Sequence, residues 1–357
     1  MRVAYDAAPL QLATAGELRY TTELLAAMSG RGDVEVDSIS LPVRRPGSSL
    51  QRTLLQGVYE GYFYPLRFGR RARGASLVHF PRPLVPPMAG LQAPRVVTIH
   101  DMFPLTEPQL FSAAIRHHHT WLVPRAARRA DAIITGSEFC KGEIVATTGV
   151  IPDRVHVTPW GVAPRFRPVG RDPDWLRERF GIDRPFLMCL GTLEPRKNLT
   201  AALEAFLALP AERQELLVIV GGQGWRNTEF ERAARSTERV VLTGYVDDEE
   251  LVRLLAAAEC FLYPSLSEGF GFPVLEAMAA GTPVVSSKAG SLAEVVADAG
   301  LLVDPRRPEE LAAAVLRVLE SETRAADLRA RGLARAAEFT WARCAEQTVE
   351  VYRAVAG

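Results

Sequence analysis

Two carboxylates and two cations are spaced for chemistry in this chain. Glu268 and Glu276 stand eight positions apart around a Gly-Phe-Gly-Phe-Pro turn, and Arg196 and Lys197 stand side by side in GTLEPRKNL. Adjacent cations beside a helix start can clamp a diphosphate, the arginine in a bidentate way. The backbone N–H groups of Phe270, Gly271 and the helix start behind them can point at an anion, which the helix dipole favours. Gly269 and Gly271 let the backbone approach a ligand closely. Backbone donors for phosphate with two carboxylates for hydroxyls suit a sugar nucleotide. Taken singly, each residue has a plain reading: Glu268 a solvated loop acid, Glu276 an ordinary first-turn acid, Arg196-Lys197 a basic loop. The whole stretch from Ser265 to Val285 favours the site.

These residues need a frame. CFLYP, Cys260 to Pro264, reads as a buried strand. Pro273 suits the first position of a helix running to Ala280, with Glu276 in its first turn, and Gly281 is a natural stop. A second buried strand spans Pro283 to Ser286. This unit places the loop at the carboxyl end of a strand, where parallel sheets bind ligands. Upstream, a buried strand from Phe186 to Leu190 ends at Gly191, and LLVIVGG, VVLTGYV and GLLVD repeat the pattern.

The first half alternates in the same way. Short apolar runs at Val3–Tyr5, Val34–Ile39, Leu77–Phe80, Val96–Ile99, Ala132–Thr135 and Val155–Thr158 are separated by helical sequence. The expected class is α/β, with parallel sheets covered by helices on both faces. Gly16 lies ahead of an amphipathic helix and either approaches a ligand or is a plain loop glycine. His100 ends the strand RVVTIH, where a histidine can reach a substrate. His117, His118 and His119 are consecutive on a helix, so they point apart and make a poor metal site. Ser137 is a helix N-cap in GSEFCKGEI. Prolines and glycines of TPWGVAPRFRPVG, up to Pro173, mark a linker.

Composition bounds the class. The chain has 357 residues, enough for two domains, is 48% hydrophobic and 24% charged, and has zero formal net charge. That total gives no support for nucleic-acid binding. The charge is uneven: residues 1–165 carry 19 Lys/Arg and 13 Asp/Glu, and the remainder 23 and 29. Cys140, Cys189, Cys260 and Cys344 have no paired or metal-ligand spacing and read as reduced core thiols of a cytoplasmic protein. Met1 leads straight into a strand, so no signal peptide is expected, and no apolar run spans a membrane. Residues 44–95 hold nine arginines against one acid, Glu60, interleaved with Tyr59, Tyr62, Phe63, Tyr64 and Phe68. That mixture suits an anionic membrane surface on the inner face or a lipid-phosphate acceptor, or else a solvated face over core aromatics.

EGFGFPVLE, EAMAAGTPVV, GTLEPRKNL, GSEFCKGEI and the TPWGV approach together resemble the retaining glycosyltransferases of family four, group 1, over nearly the whole chain. The resemblance implies the GT-B fold, two Rossmann-like domains facing across a cleft. The domains would be 1–165 for the acceptor and 166–340 for the nucleotide sugar, with the helix of 341–357 crossing back. It implies that Arg196 and Lys197 hold the diphosphate and stabilise the leaving nucleotide. Glu268 contacts the sugar, Glu276 the ribose hydroxyls, and Gly269, Phe270 and Gly271 approach sugar and phosphates. Gly191 belongs to the donor site, Gly244 to Val246 flank the base, and His100 contacts the sugar from the acceptor domain. No metal or cofactor is implied. Family members are often assigned a same-face mechanism. One departure is Ala15-Gly16 where many members have two glycines; Arg19 and Tyr20 still match.

The expected function is transfer of a hexose from a nucleotide-diphosphate sugar, GDP-mannose first and UDP-sugars next, to a glycan, lipid-linked or small-molecule acceptor. The alternatives are a sugar-nucleotide 2-epimerase of the same fold, and a non-catalytic scaffold of a membrane complex. The Glu-x7-Glu context argues against the first, and the intact Arg196, Lys197, Glu268 and Glu276 against the second.

Overall fold

The computed structural model describes residues 1–357 except 14, 87–91 and 225–227. Two six-stranded sheets are formed, and every strand pairing is parallel. The first contains β1 (Arg2–Asp6), β2 (Glu35–Ile39), β3 (Leu77–Phe80), β4 (Arg95–Thr98), β5 (Ala132–Thr135) and β6 (Val155–Val157), in the order β2-β1-β3-β4-β5-β6. The second contains β7 (Phe186–Leu190), β8 (Leu216–Val220), β9 (Val240–Gly244), β10 (Cys260–Tyr263), β11 (Val284–Ser287) and β12 (Leu301–Val303), in the order β12-β11-β10-β7-β8-β9. The expected runs inside each sheet become strands because a parallel strand covered on both faces must be apolar throughout, whereas the edge strand β2, EVDSI, is only partly buried. All five residues of β8 are buried.

The chain divides into two compact units: Met1–Gly161 with Thr340–Gly357, and Val162–Phe339. The final helix, Trp341–Ala356, belongs to the first unit. It is anchored there by Tyr352, whose hydroxyl lies 2.6 Å from Nδ1 of the buried His79. Burial, with His100 nearby, lowers His79 to about 3. Gly161 allows the helix start to approach: a Cβ there would stand 2.3 Å from the Trp341 nitrogen.

The basic aromatic stretch forms a helix at Ser49–Val58 and a wider π-wound helix at Tyr59–Phe68. Tyr59, Phe63, Tyr64 and Phe68 are fully buried, and Phe68 packs on Phe80 with ring centroids 5.5 Å apart. Four of the five aromatics are therefore core. Arg67, Arg70, Arg71 and Arg73 are exposed, as are Leu54, Val58, Tyr62 and Leu66. Among the described residues, no helix is long and apolar enough to cross a membrane. All four cysteines are free and buried.

Two local expectations need correction. Gly16 does not precede the helix; it is the second residue of Ala15–Met28. The helix after β10 is Phe272–Ala279, capped by Gly271 at φ 109°, so Pro273 is its second residue and Glu276 its fifth. Glu276 thus lies in the second turn. The left-handed cap, open to glycine, starts the helix one residue early. It ends at Ala279, one residue before the expected Ala280, and the stop at Gly281 is as expected: Gly281 N–H donates to Met278 and Thr282 N–H to Ala277, with Gly281 at φ 80°. Those two bonds make a Schellman stop.

Candidate active site

In the second sheet the strand order reverses between β7 and β10. Ligands of open parallel sheets bind at the carboxyl ends beside such a switch point. The loop after β7 delivers Arg196 and Lys197 there, and the loop after β10 delivers Glu268. Glu268 is 8% exposed. Its Oε1 accepts from Lys197 Nζ at 2.6 Å, Ser265 Oγ at 2.6 Å and Tyr263 OH at 2.8 Å, and lies 2.9 Å from Arg196 Nη1. Burial pushes this carboxyl up, but Arg196, Lys197 and the hydrogen bonds outweigh it and hold it at about 2. Burial and the Arg196 charge lower the Lys197 ammonium, against the pull of Glu268.

The cations are fixed from several sides. Lys197 Nζ donates to Tyr263 OH at 2.7 Å and lies over that ring. Arg196 donates to Glu194 at 2.9 Å and to the Ser267 carbonyl at 3.0 Å. Asn198, left-handed at φ 52°, donates from Nδ2 to the carbonyls of Pro264 and Pro305 at 3.1 and 2.7 Å. Gly191 leaves room for the Lys197 stem: a Cβ there would stand 2.9 Å from Lys197 Cγ. Gly221 in turn passes so close to Gly191 that its Cβ would meet the Gly191 carbonyl oxygen at 2.0 Å.

The loop carrying Glu268 is held from behind. Ser291 donates from N and Oγ to the Glu268 carbonyl at 3.0 and 2.7 Å, and from Oγ to that of Phe270 at 2.8 Å. Gly290, at φ 61°, lets the chain pass, since a Cβ would stand 2.6 Å from that same Glu268 oxygen. The Phe270 side chain is buried between Phe272 and Phe339, so only its backbone is placed for a ligand. Glu276 is 1% exposed within the helix that Gly271 caps. Val246 is nearly buried just beyond β9, next to Tyr245, which is 83% exposed.

The structure brings Gly191, Arg196, Lys197 and Glu268 into one cluster. His100 and Gly16 belong to the first unit. There His100 Nε2 donates to the Pro81 carbonyl at 2.9 Å, with the rings of Tyr20 and Trp160 each 5.0 Å away. Sequence reading missed Tyr263, Ser265, Asn198, Gly290 and Ser291. The AGS tripeptide and the Asn after the cations were the available signals. Among the described residues, no group of three or more His, Cys, Asp or Glu side chains could hold a metal ion.

Oε1 of Glu268, with three donors and a guanidinium around it, is a poor nucleophile. Paired cations beside a glycine-capped helix are a device for holding negative charge.

Comparison with known proteins identifies the family. The family described as "Glycosyl transferases group 1" matches residues 176–335, and "Glycosyltransferase Family 4" matches residues 16–166. The O-antigen chain mannosyltransferase B of Escherichia coli is 34% identical over 267 residues, covering 72% of this chain and 70% of that protein. The serotype-specific mannosyltransferase WbdA of the same organism is 29% identical over 266 residues, 71% of this chain but only 33% of its own length. Sucrose-phosphate synthase from Thermosynechococcus elongatus superimposes with a TM-score of 0.76 at 22% identity, covering 99% of this chain and 98% of that one. With its two parallel sheets and a cation pair at a switch point, the chain belongs to the group 1 glycosyltransferases, family 4, and has their two-domain GT-B fold.

Proposed function

We propose that the protein transfers a hexose, with retention and without a metal, from a nucleotide-diphosphate sugar to a glycan acceptor. The donor is GDP-mannose, with UDP-sugars next. The observation that carries this reading is the convergence of Arg196 and Lys197 on Glu268 at the switch point of the second sheet. On this reading both cations turn from Glu268 to the diphosphate. Breaking the glycosidic bond puts charge on the leaving diphosphate, and each well-placed donor is worth of order 3 kcal/mol there. That assigns Arg196 and Lys197 the charge that a metal would otherwise neutralise. Glu268 orients them and contacts the sugar. Its crowded oxygen favours same-face transfer over a covalent intermediate. Glu276 holds the ribose hydroxyls and Val246 borders the base. The mannosyltransferase relatives support mannose as the sugar.

A thermal-shift screen of GDP, UDP and their sugars on wild type and Glu276→Ala tests the donor site. One diphosphate nucleotide should raise the melting temperature of wild type. The variant should bind it about 1–3 kcal/mol more weakly, the cost of leaving hydrogen-bonded partners unpaired. No shift with any nucleotide at millimolar concentration sinks the transferase reading and favours the scaffold alternative.

A peripheral place on an anionic membrane is favoured by one further observation. Leu54, Val58, Tyr62 and Leu66 recur every four residues, all exposed, beside the exposed Arg67, Arg70 and Arg71. Exposed apolar side chains flanked by arginine suit a headgroup layer. Cosedimentation with phosphatidylserine vesicles should occur at low salt and weaken as salt rises. Failure to sediment at low salt would remove this surface from consideration.

A further inference from the structure

A tyrosine hydroxyl meets both a cation and a carboxylate at each of two switch points. In the first sheet the order reverses between β1 and β3. Asp6 ends β1, and Arg82 stands two residues past the end of β3. Tyr64 OH donates to Asp6 Oδ2 at 2.8 Å and accepts from Arg82 Nη2 at 2.7 Å, while Arg82 Nε stays 3.8 Å from Asp6 Oδ2. Asp6 and Tyr64 are fully buried. There the hydroxyl is a spacer in the core, filling the gap between two charges that do not touch.

The second sheet uses the same contact differently. Tyr263 is the last residue of β10, 2% exposed, with its ring stacked on Phe261 at 5.6 Å. Its hydroxyl lies 2.7 Å from Lys197 Nζ and 2.8 Å from Glu268 Oε1, yet those two already meet at 2.6 Å. No gap needs filling. The sense of the bonds is fixed by chemistry. An ammonium can only donate. Glu268, held at about 2, is ionised and can only accept. Burial and the Glu268 charge push the Tyr263 phenol well above its ordinary value, so it keeps its proton. Lys197 therefore donates to Tyr263, and Tyr263 donates to Glu268. Among the described residues, Tyr263 is the one side chain that hydrogen-bonds both.

Three N–H groups sit on Lys197 Nζ. Glu268 and Tyr263 take two of them, and the side chain keeps 11% of its surface exposed. When the cations turn to a diphosphate, Lys197 gives up Glu268. A flexible four-carbon stem would then lose its aim. The Tyr263 hydroxyl is the partner that Lys197 need not give up. As a neutral acceptor it holds Nζ without cancelling its charge, and it leaves two N–H groups for phosphoryl oxygens.

We propose that Tyr263 is a positioning residue of the donor site, keeping Lys197 Nζ aimed at the diphosphate once the ion pair with Glu268 opens. The proposal rests on the transferase reading above.

The test uses the full chain and calorimetry with GDP, or with UDP where that is the nucleotide bound. Tyr263→Phe keeps the ring and removes the hydroxyl. It should weaken binding about tenfold, the size of one hydrogen bond to a charged group. The same change made in Lys197→Ala should shift affinity by less than about twofold, because the residue it acts through is gone. Equal losses in both backgrounds make Tyr263 a packing residue and overturn the proposal, as does unchanged affinity in the single variant. A crystal structure of wild type with the nucleotide needs no variant. Lys197 Nζ should lie within hydrogen-bonding distance of Tyr263 OH and of a phosphoryl oxygen at once. An ammonium that has left Tyr263 overturns the proposal. A wild type that binds neither nucleotide fails at the transferase reading instead, and the role of Tyr263 falls with it.

Discussion

The two switch points share a topology and differ in how their charges are settled. Each places an acid and an arginine at the carboxyl ends of strands that flank a reversal in sheet order. In the second unit two cations reach one carboxylate oxygen, and Glu268 is held at about 2 despite its burial. In the first unit one guanidinium stands 3.8 Å off, a tyrosine hydroxyl lies between, and burial leaves Asp6 above its ordinary value. The sheet supplies the place, and the number and distance of cations decide how each carboxylate is charged. Two cations beside a capped helix are suited to holding negative charge.

The sharpest way to break this contrast is to remove a cation from the second cluster. Lys197→Ala should cut turnover by about 10²- to 10³-fold, the scale for losing one preorganised donor to developing charge. Arg196, Ser265 and Tyr263 still hold Glu268, so the fold should survive. Steady-state kinetics beside a melting curve separates the two effects. A variant that melts far lower yet turns over normally would assign Lys197 to structure, and the two switch points would differ less than their chemistry suggests.

Much of the second cluster was legible because its parts are local. A run of five apolar residues marks each of β7 and β8, and the functional loops follow strands within a few residues. Arg196, Lys197 and Glu268 could be placed at strand ends without knowing the strand order. The first cluster was not legible for the opposite reason. Asp6, Tyr64 and Arg82 are spread over more than seventy positions, and only the pairing of β1 with β3 makes them neighbours. The aromatics at 59–68 were ambiguous because π winding does not follow the 3.6-residue period by which a buried face is recognised. The hold of Gly290 and Ser291 on the Glu268 backbone depends on a left-handed turn 22 residues downstream, and single glycines and serines carry little signal of their own.

Acid titration sharpens the comparison with a smaller effect. Glu268 has an ordinary value of 4.5 and a folded value of about 2, so its contribution is present above about pH 4.5 and is lost as pH falls toward 2. That shift corresponds to about 3 kcal/mol. Asp6 is raised in the folded state, so the sign is reversed. Protonation favours the fold there, and the benefit is lost as pH rises through the folded value. Denaturant unfolding of wild type, Glu268→Gln and Asp6→Asn between pH 7 and 3 reads both. As pH falls, the advantage of wild type over Glu268→Gln should shrink. Wild type should gain on Asp6→Asn over the same range. Two difference curves that slope the same way would mean that both carboxylates are stabilised alike. The first switch point would then not be short of positive charge, and the contrast between the two would lose its physical basis.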